Sequence, residues 1–161
     1  LCYLHTRTPP VVHRDLKCAN LLLAPDAASG TLSLKITDFG CSRVLQKDES
    51  LFEHSMAGSV FWMAPESIRG KTKLTKAIDI WSTGCCLLEM ATAKSPWAEK
   101  NFDNILVAFN VIAMSDECPA VPQDLPDLAR AFARACLRRN ATERPTAQDL
   151  HVHPFLLSRG Q

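Results

Sequence analysis

The sequence predicts a mainly α-helical fold of the α+β type, with one small β-hairpin and one long loop. Three observations carry that reading. The run Ala77 to Ala93 is apolar nearly all round, as a buried central helix must be. Thr31 to Thr37 alternates Leu32, Leu34 and Ile36 against Ser33, Lys35 and Thr37, the period of a half-buried strand. Residues 41 to 62 carry little periodicity, and a loop of that length in a compact domain is usually functional.

The remaining elements follow in chain order. Leu1 to His5 reads as the end of a helix, with no cap before it and no initiating Met, so the chain is expected to begin inside a fold. Thr8 to Val12 is extended, because each proline disfavours helix in the residue before it. His13 to Asn20 is polar and irregular. Leu21 to Leu23 is a short buried strand, and the turn-rich Pro25 to Gly30 joins it to the second strand as a hairpin. Phe102 to Ala113 and Asp127 to Arg139 are amphipathic helices, the latter with Leu128, Phe132 and Cys136 on one stripe. A last helix starts near Thr146, with Asp149 three residues on as its capping partner.

Composition excludes several classes. The 18 basic and 17 acidic residues of the 161-residue chain leave a formal charge of +1, which gives no pull toward nucleic acid, membrane or acidic partners. Seven cysteines, an odd number and none spaced as C-x-x-C, argue against a disulfide framework or a zinc site. Free thiols used as small apolar side chains point to a reducing, cytoplasmic setting. No signal peptide is visible, and the most apolar stretch contains Asp79 and Glu89 and is too short to span a bilayer.

The hairpin makes a chemical forecast. Asn20 enters its first strand and Asp38 leaves its second, so an antiparallel pair sets these two ends side by side. Asp15 arrives at the same rim from the preceding loop. Two carboxylates and an amide oxygen with Lys17 among them suit Mg²⁺ and phosphate.

Residues 13–20 read His13-Arg14-Asp15-Leu16-Lys17-Cys18-Ala19-Asn20, followed by Asp38-Phe39-Gly40 and then Ala64-Pro65-Glu66. This series resembles the H-R-D-L-x-x-x-N catalytic loop, the D-F-G and the A-P-E of protein kinases. Any one of these tripeptides is weak; the three in this order are strong. Asp79-Ile80-Trp81-Ser82-Thr83-Gly84, Arg144-Pro145-Thr146 and His153-Pro154-Phe155 extend the resemblance over nearly the whole chain. The stretches Asp38 to Ser42, Gly58-Ser59 and Trp62 to Glu66 look most like mitogen-activated protein kinase kinase kinases and their STE-group relatives.

The resemblance implies a role for each residue. Asp15 is the catalytic base toward the substrate hydroxyl, and Lys17 contacts the γ-phosphate and marks a serine/threonine enzyme. Asn20 and Asp38 hold Mg²⁺ against the phosphates of ATP. Residues 38–66 are the activation segment, with Ser55, then Ser59 and Ser50, as candidate phosphosites, and Arg14 pairs with the phosphate. Gly40 gives the backbone freedom to turn. Asp79 braces the catalytic loop, and Arg144 pairs with Glu66. The implied partners are a protein substrate, possibly a downstream kinase, and an activating kinase or a second copy acting in trans.

Two departures stand out. Gly58-Ser59-Val60-Phe61 lacks the usual threonine and proline, although Ser59 keeps a hydroxyl that could bond Asp15 and Lys17. No G-x-G-x-x-G, V-A-I-K lysine or helical glutamate partner occurs. The resemblance therefore implies the C-terminal lobe alone over residues 1–161, with the N-lobe missing. An alternative is a truncated, non-catalytic lobe that acts as a docking module.

Plainer readings stand beside these. His13 is better read as a packing residue than as a chemical group. Asp15, Asn20 and Asp38 taken singly could be turn formers; together they favour catalysis. Cys41 is more simply a small buried residue than a reactive thiol. Arg130, Arg134, Arg138 and Arg139 read as a solvated helix face.

Overall fold

The computed structural model describes residues 1–26, 30–45, 59–70 and 74–158. In chain order its helices are α1 (Cys2–His5), α2 (Pro65–Arg69), α3 (Ala77–Thr92), α4 (Ile105–Met114), α5 (Asp127–Cys136), α6 (Ala147–His151) and α7 (Pro154–Leu157). Its strands are β1 (Val11–Val12), β2 (Leu21–Pro25), β3 (Leu32–Ile36) and β4 (Arg43–Val44). The predicted helical body with one hairpin is what these elements form.

The axis is α3, nine of whose 16 residues are buried. Trp81, Cys85 and Leu88 join Val12, Val60, Met63, Ile112 and Ala133 in the main core. Ile80 turns the other way, toward Phe132, Cys136, Ala147 and Leu150. Two cores on opposite sides explain why the sequence of α3 shows no polar stripe. Ala93 ends the helix in the left-handed region, at φ 54°. The helix at Thr146 is closed as expected, because Thr146 and Asp149 bond each other's backbone reciprocally.

Boundaries differ from the sequence reading where a cap or a special backbone intervenes. The helix expected from Phe102 begins at Ile105, because the Asn104 side chain accepts from the amides of Leu106 and Val107. The helix expected to reach Arg139 ends at Cys136, and the Leu137 amide closes it on the Ala133 carbonyl. Its buried residues are Ala129, Phe132, Ala133 and Cys136, while Leu128 is 41% exposed.

The β2–β3 hairpin pairs Leu21 with Ile36 and Leu23 with Leu34, as an antiparallel register requires. Its burial corrects the expectation of a buried and a half-buried strand. Leu22, Leu23, Leu32 and Leu34 are all exposed, and Leu21 and Ile36 are half-buried. A two-stranded ribbon leans on the body only at its base, so alternation sorts its faces without covering either. The loop after residue 41 holds a second ribbon that periodicity missed, β1 with β4, pairing Val11 with Val44 and Val12 with Arg43. Two residues are too few to show a period.

Helices α3 and α5 approach at Gly84. A Cβ there would lie 2.8 Å from the Cys136 Cβ and 2.9 Å from the Leu137 Cγ. Gly84→Ala gains up to about 1 kcal/mol in helix propensity but overpacks this contact, at a cost of about 1–3 kcal/mol. The expected outcome is a net loss of stability, read as a lower urea midpoint with an unchanged slope.

Candidate active site

The loop from His13 to Lys17 leaves β1 and enters a 3-10 turn, Cys18–Asn20, that opens β2. Its irregular backbone has no strand or helix ladder of its own, so side chains must hold it. The buried carboxylate of Asp79, 0% exposed on α3, accepts from the amides of His13 (2.8 Å) and Arg14 (2.9 Å). It also bonds His5 Nε2 at 2.8 Å. These amides hold Arg14 at φ 73°, a left-handed conformation that costs a non-glycine residue energy. His13 is fully buried, with its Nε2 3.0 Å from the Thr37 carbonyl and its ring edge-on to Phe39. It packs, as read from the sequence.

Around that brace a cluster assembles. Lys17 Nζ donates to Asp15 Oδ2 (2.9 Å) and to Ser59 Oγ (2.8 Å). Asn20 Nδ2 donates to the Asp15 backbone oxygen (2.8 Å) and to Asp15 Oδ2 (3.0 Å). Asp15, Lys17, Asn20 and Ser59 thus form one hydrogen-bonded group. Burial pushes the Asp15 carboxyl up, but hydrogen bonds from Ser59, Lys17 and Asn20 with the Lys17 charge outweigh it. The net result lies below the usual value of 3.8.

Asp38 joins the rim through the backbone. Thr37, just before it, donates its amide and hydroxyl to the Asn20 carbonyl at 2.9 and 3.2 Å. Asp38 takes φ 60° and accepts from the Gly40 amide at 3.3 Å. This corrects the role expected of Gly40. The left-handed turn falls on Asp38, and a Cβ at position 40 would crowd Asp38 Oδ1 at 3.2 Å. The donor set fits a hard divalent cation. Asn20 spends its amide nitrogen on Asp15, which leaves Oδ1 without a hydrogen bond among the described residues, and Asp38 adds a carboxylate. Three or more His, Cys, Asp or Glu side chains do not converge anywhere among the described residues.

Glu66 and Arg144 meet as expected, in a buried bidentate pair with contacts of 2.6 and 2.9 Å. Arg144 also donates to the carbonyls of Ala77, Arg138 and Arg139, and lies 5.0 Å over the Trp81 ring. Removing one partner of such a pair costs about 3–5 kcal/mol, because the other is left charged and buried. Arg139 departs from the solvated-face reading. It is half-buried beyond the end of α5 and donates to the carbonyls of Ile112 (2.9 Å) and Glu117 (3.0 Å).

Sequence reasoning missed Glu89. Its Oε2 accepts from Trp62 Nε1 (2.8 Å) and from the Cys18 amide (3.1 Å), so it ties the 13–20 stretch to the segment before α2. A carboxylate inside an otherwise apolar helix was the available signal. All seven cysteines are free. Burial raises the thiols of Cys18 and Cys136 to about 12 and pushes Cys85 and Cys86 up as well, which makes them poor nucleophiles. Cys41 is half-buried. Ser50 and Ser55 lie outside the described residues. Ser59 is half-buried and already bonded to Lys17.

A helical body, a hairpin and a braced acid-lysine-amide rim are thus the described parts of the fold. The protein kinase domain family matches residues 1–156, and the chain belongs to that family. Within it, the chain resembles serine/threonine enzymes of the MAP kinase kinase kinase type. It is 42% identical over 97% of its length to Mitogen-activated protein kinase kinase kinase 3 of Arabidopsis thaliana, of which it covers 24%. It is 40% identical over 96% of its length to Serine/threonine-protein kinase BCK1/SLK1/SSP31 of Saccharomyces cerevisiae, covering 10% of it. With Mitogen-activated protein kinase kinase kinase A of Dictyostelium discoideum the figures are 37%, 98% and 16%. The chain therefore spans a quarter or less of these relatives. No helix among the described residues is long and apolar enough to cross a membrane.

The Asp15 carboxyl tests the cluster directly. With its folded value below 3.8, it contributes stability above that pH, and the contribution is lost as pH falls through the folded value. Lys17→Met removes a hydrogen bond and a charge while the burial remains. The Asp15 carbon resonance should then titrate at higher pH than in the parent chain; an unmoved titration would refute the cluster.

Proposed function

We propose that the chain carries the catalytic loop of a protein kinase that transfers the γ-phosphoryl group of ATP to serine or threonine of a protein substrate. The observation that carries this reading is the cluster of Asp15, Lys17, Asn20 and Ser59 beside Asp38. Asp15, fully ionised at neutral pH, orients the substrate hydroxyl and accepts its proton. Its lowered pKa makes it a weak base, so the proton moves late, as the oxygen commits to phosphorus. Lys17 is aimed by Asp15 and Ser59 and presents its charge where a transferring phosphoryl group would gather negative charge. Asn20 Oδ1 and Asp38 would hold Mg²⁺, whose charge would offset that of the phosphates when bound. Asp79 keeps the loop in the one backbone shape that points Asp15 outward.

The relatives' names support a place in a MAP kinase cascade, with a downstream kinase as substrate and an activating kinase, or trans-autophosphorylation, upstream. The activation segment would be residues 38–66. The lobe assignment follows from the same reading. Residues 1–161 supply the rim but no glycine-rich cover and no lysine–glutamate pair for the nucleotide. The chain by itself should therefore bind Mg-ATP only weakly, with a Kd above about 1 mM. Tight Mg-dependent binding by calorimetry would contradict the lobe assignment.

The catalytic assignment has a separate test. In a longer chain that includes a glycine-rich nucleotide loop, Asp15→Asn should lower kcat for transfer to a generic serine substrate by about 10²–10⁴, with KM for ATP little changed. Activity equal to the parent's would refute the role given to Asp15. Binding without any transfer in the parent would favour the docking-module alternative.

A further inference from the structure

A cleft lies away from the rim of Asp15, Lys17 and Asn20, on the side of the body where α2 ends. It encloses about 740 Å³, and two guanidinium groups line it, Arg69 from the end of α2 and Arg139 from the turn after α5. Neither joins an ion pair among the described residues. Among the described residues Arg69 donates through Nε alone, in a long 3.4 Å bond to the Pro65 carbonyl. Arg139 spends Nη1 on the carbonyls of Ile112 and Glu117, which pins its plane and leaves Nη2 without a partner among the described residues. A fixed guanidinium and an exposed one lining a single cleft can both bond one anionic occupant.

Two acids also line the cleft: both oxygens of Glu66 are taken by Arg144, while the exposed Asp116 attracts Arg139 but forms no ion pair among the described residues. Beside the arginines the cavity is lined by Met114, which is 72% exposed at the end of α4. A large exposed apolar side chain next to two cations fits an occupant with both features.

We infer that this cleft docks an acidic segment of a protein partner, with carboxylates on Arg69 and Arg139 and an apolar side chain against Met114. The inference stands apart from the catalytic reading, since none of its residues touches the catalytic rim. Because α2 also holds Glu66, an occupant would clamp the end of the activation segment against the turn at Arg139.

The test uses the 161-residue chain and a fluorescein-labelled peptide of alternating glutamate and leucine, read by anisotropy. Binding should appear at about 50 mM salt and weaken at about 300 mM, as partly exposed ion pairs do. Arg69→Gln and Arg139→Gln should each weaken it roughly threefold to fivefold. Arg134→Gln, on an exposed position of α5 outside the cavity, should leave it unchanged, and a lysine–leucine peptide should not bind. Arg139 also supports the fold, so the exposed Arg69→Glu serves as a second variant, with circular dichroism to check structure. It should abolish binding. Equal binding by Arg69→Glu and the parent, or no binding at low salt, would overturn the proposal. Displacement of the peptide by sub-millimolar inorganic phosphate would also overturn it, in favour of a small-anion site.

Discussion

One buried carboxylate organises this protein. Asp79 sits on the central helix with no solvent exposure and spends its two oxygens on three donors from two elements: His5 of α1, and the amides of His13 and Arg14 in the loop that follows β1. A loop without a strand or helix ladder cannot stabilise its own shape, and backbone amides held by a charged acceptor in a dry interior make strong, directional bonds. The left-handed backbone at Arg14 is the visible cost of that grip. With the loop so fixed, Lys17, Asn20 and Ser59 can converge on Asp15.

The same device recurs along α3 and around it. Glu89, near the far end of the helix, holds the Cys18 amide and the Trp62 indole together. Arg144 reaches back to Glu66 and to the carbonyl of Ala77 at the start of the helix. Each charged group gathers segments that have no periodic structure and could not pack by apolar burial alone. An apolar helix with charges at chosen points is thus a scaffold, and the reactive rim hangs from it. The buried thiols fill the remaining space as inert apolar groups, with their ionisation suppressed by burial.

Much of this was legible in the residues. The central helix showed itself through a long apolar run, α6 through the Thr146–Asp149 cap, although α7 follows where α6 was expected to be the last helix, and the hairpin through alternation. The rim was legible because a hairpin forces its two ends together, which brought Asn20 beside the Asp38 end before any coordinates. The two-residue β1–β4 ribbon, the start of α4 at Asn104 and the exposure of the hairpin leucines were not. Short ribbons carry no period, a capping asparagine overrides an apolar run, and alternation states which residues share a face without stating what covers it.

Sequence by itself determined the hairpin, the longer helices, the motif residues and the family resemblance, because these depend on local spacing and on the chemistry of side chains along the chain. Only the tertiary structure decided which buried charges brace which loops, that Asp38 and Arg14 carry the backbone strain, and that Arg139 anchors a turn where a solvated face was expected. Those outcomes rest on contacts between residues far apart in the chain, such as His13 with Asp79 and Glu66 with Arg144. Such contacts exist only once the apolar cores have set α3 among its neighbours.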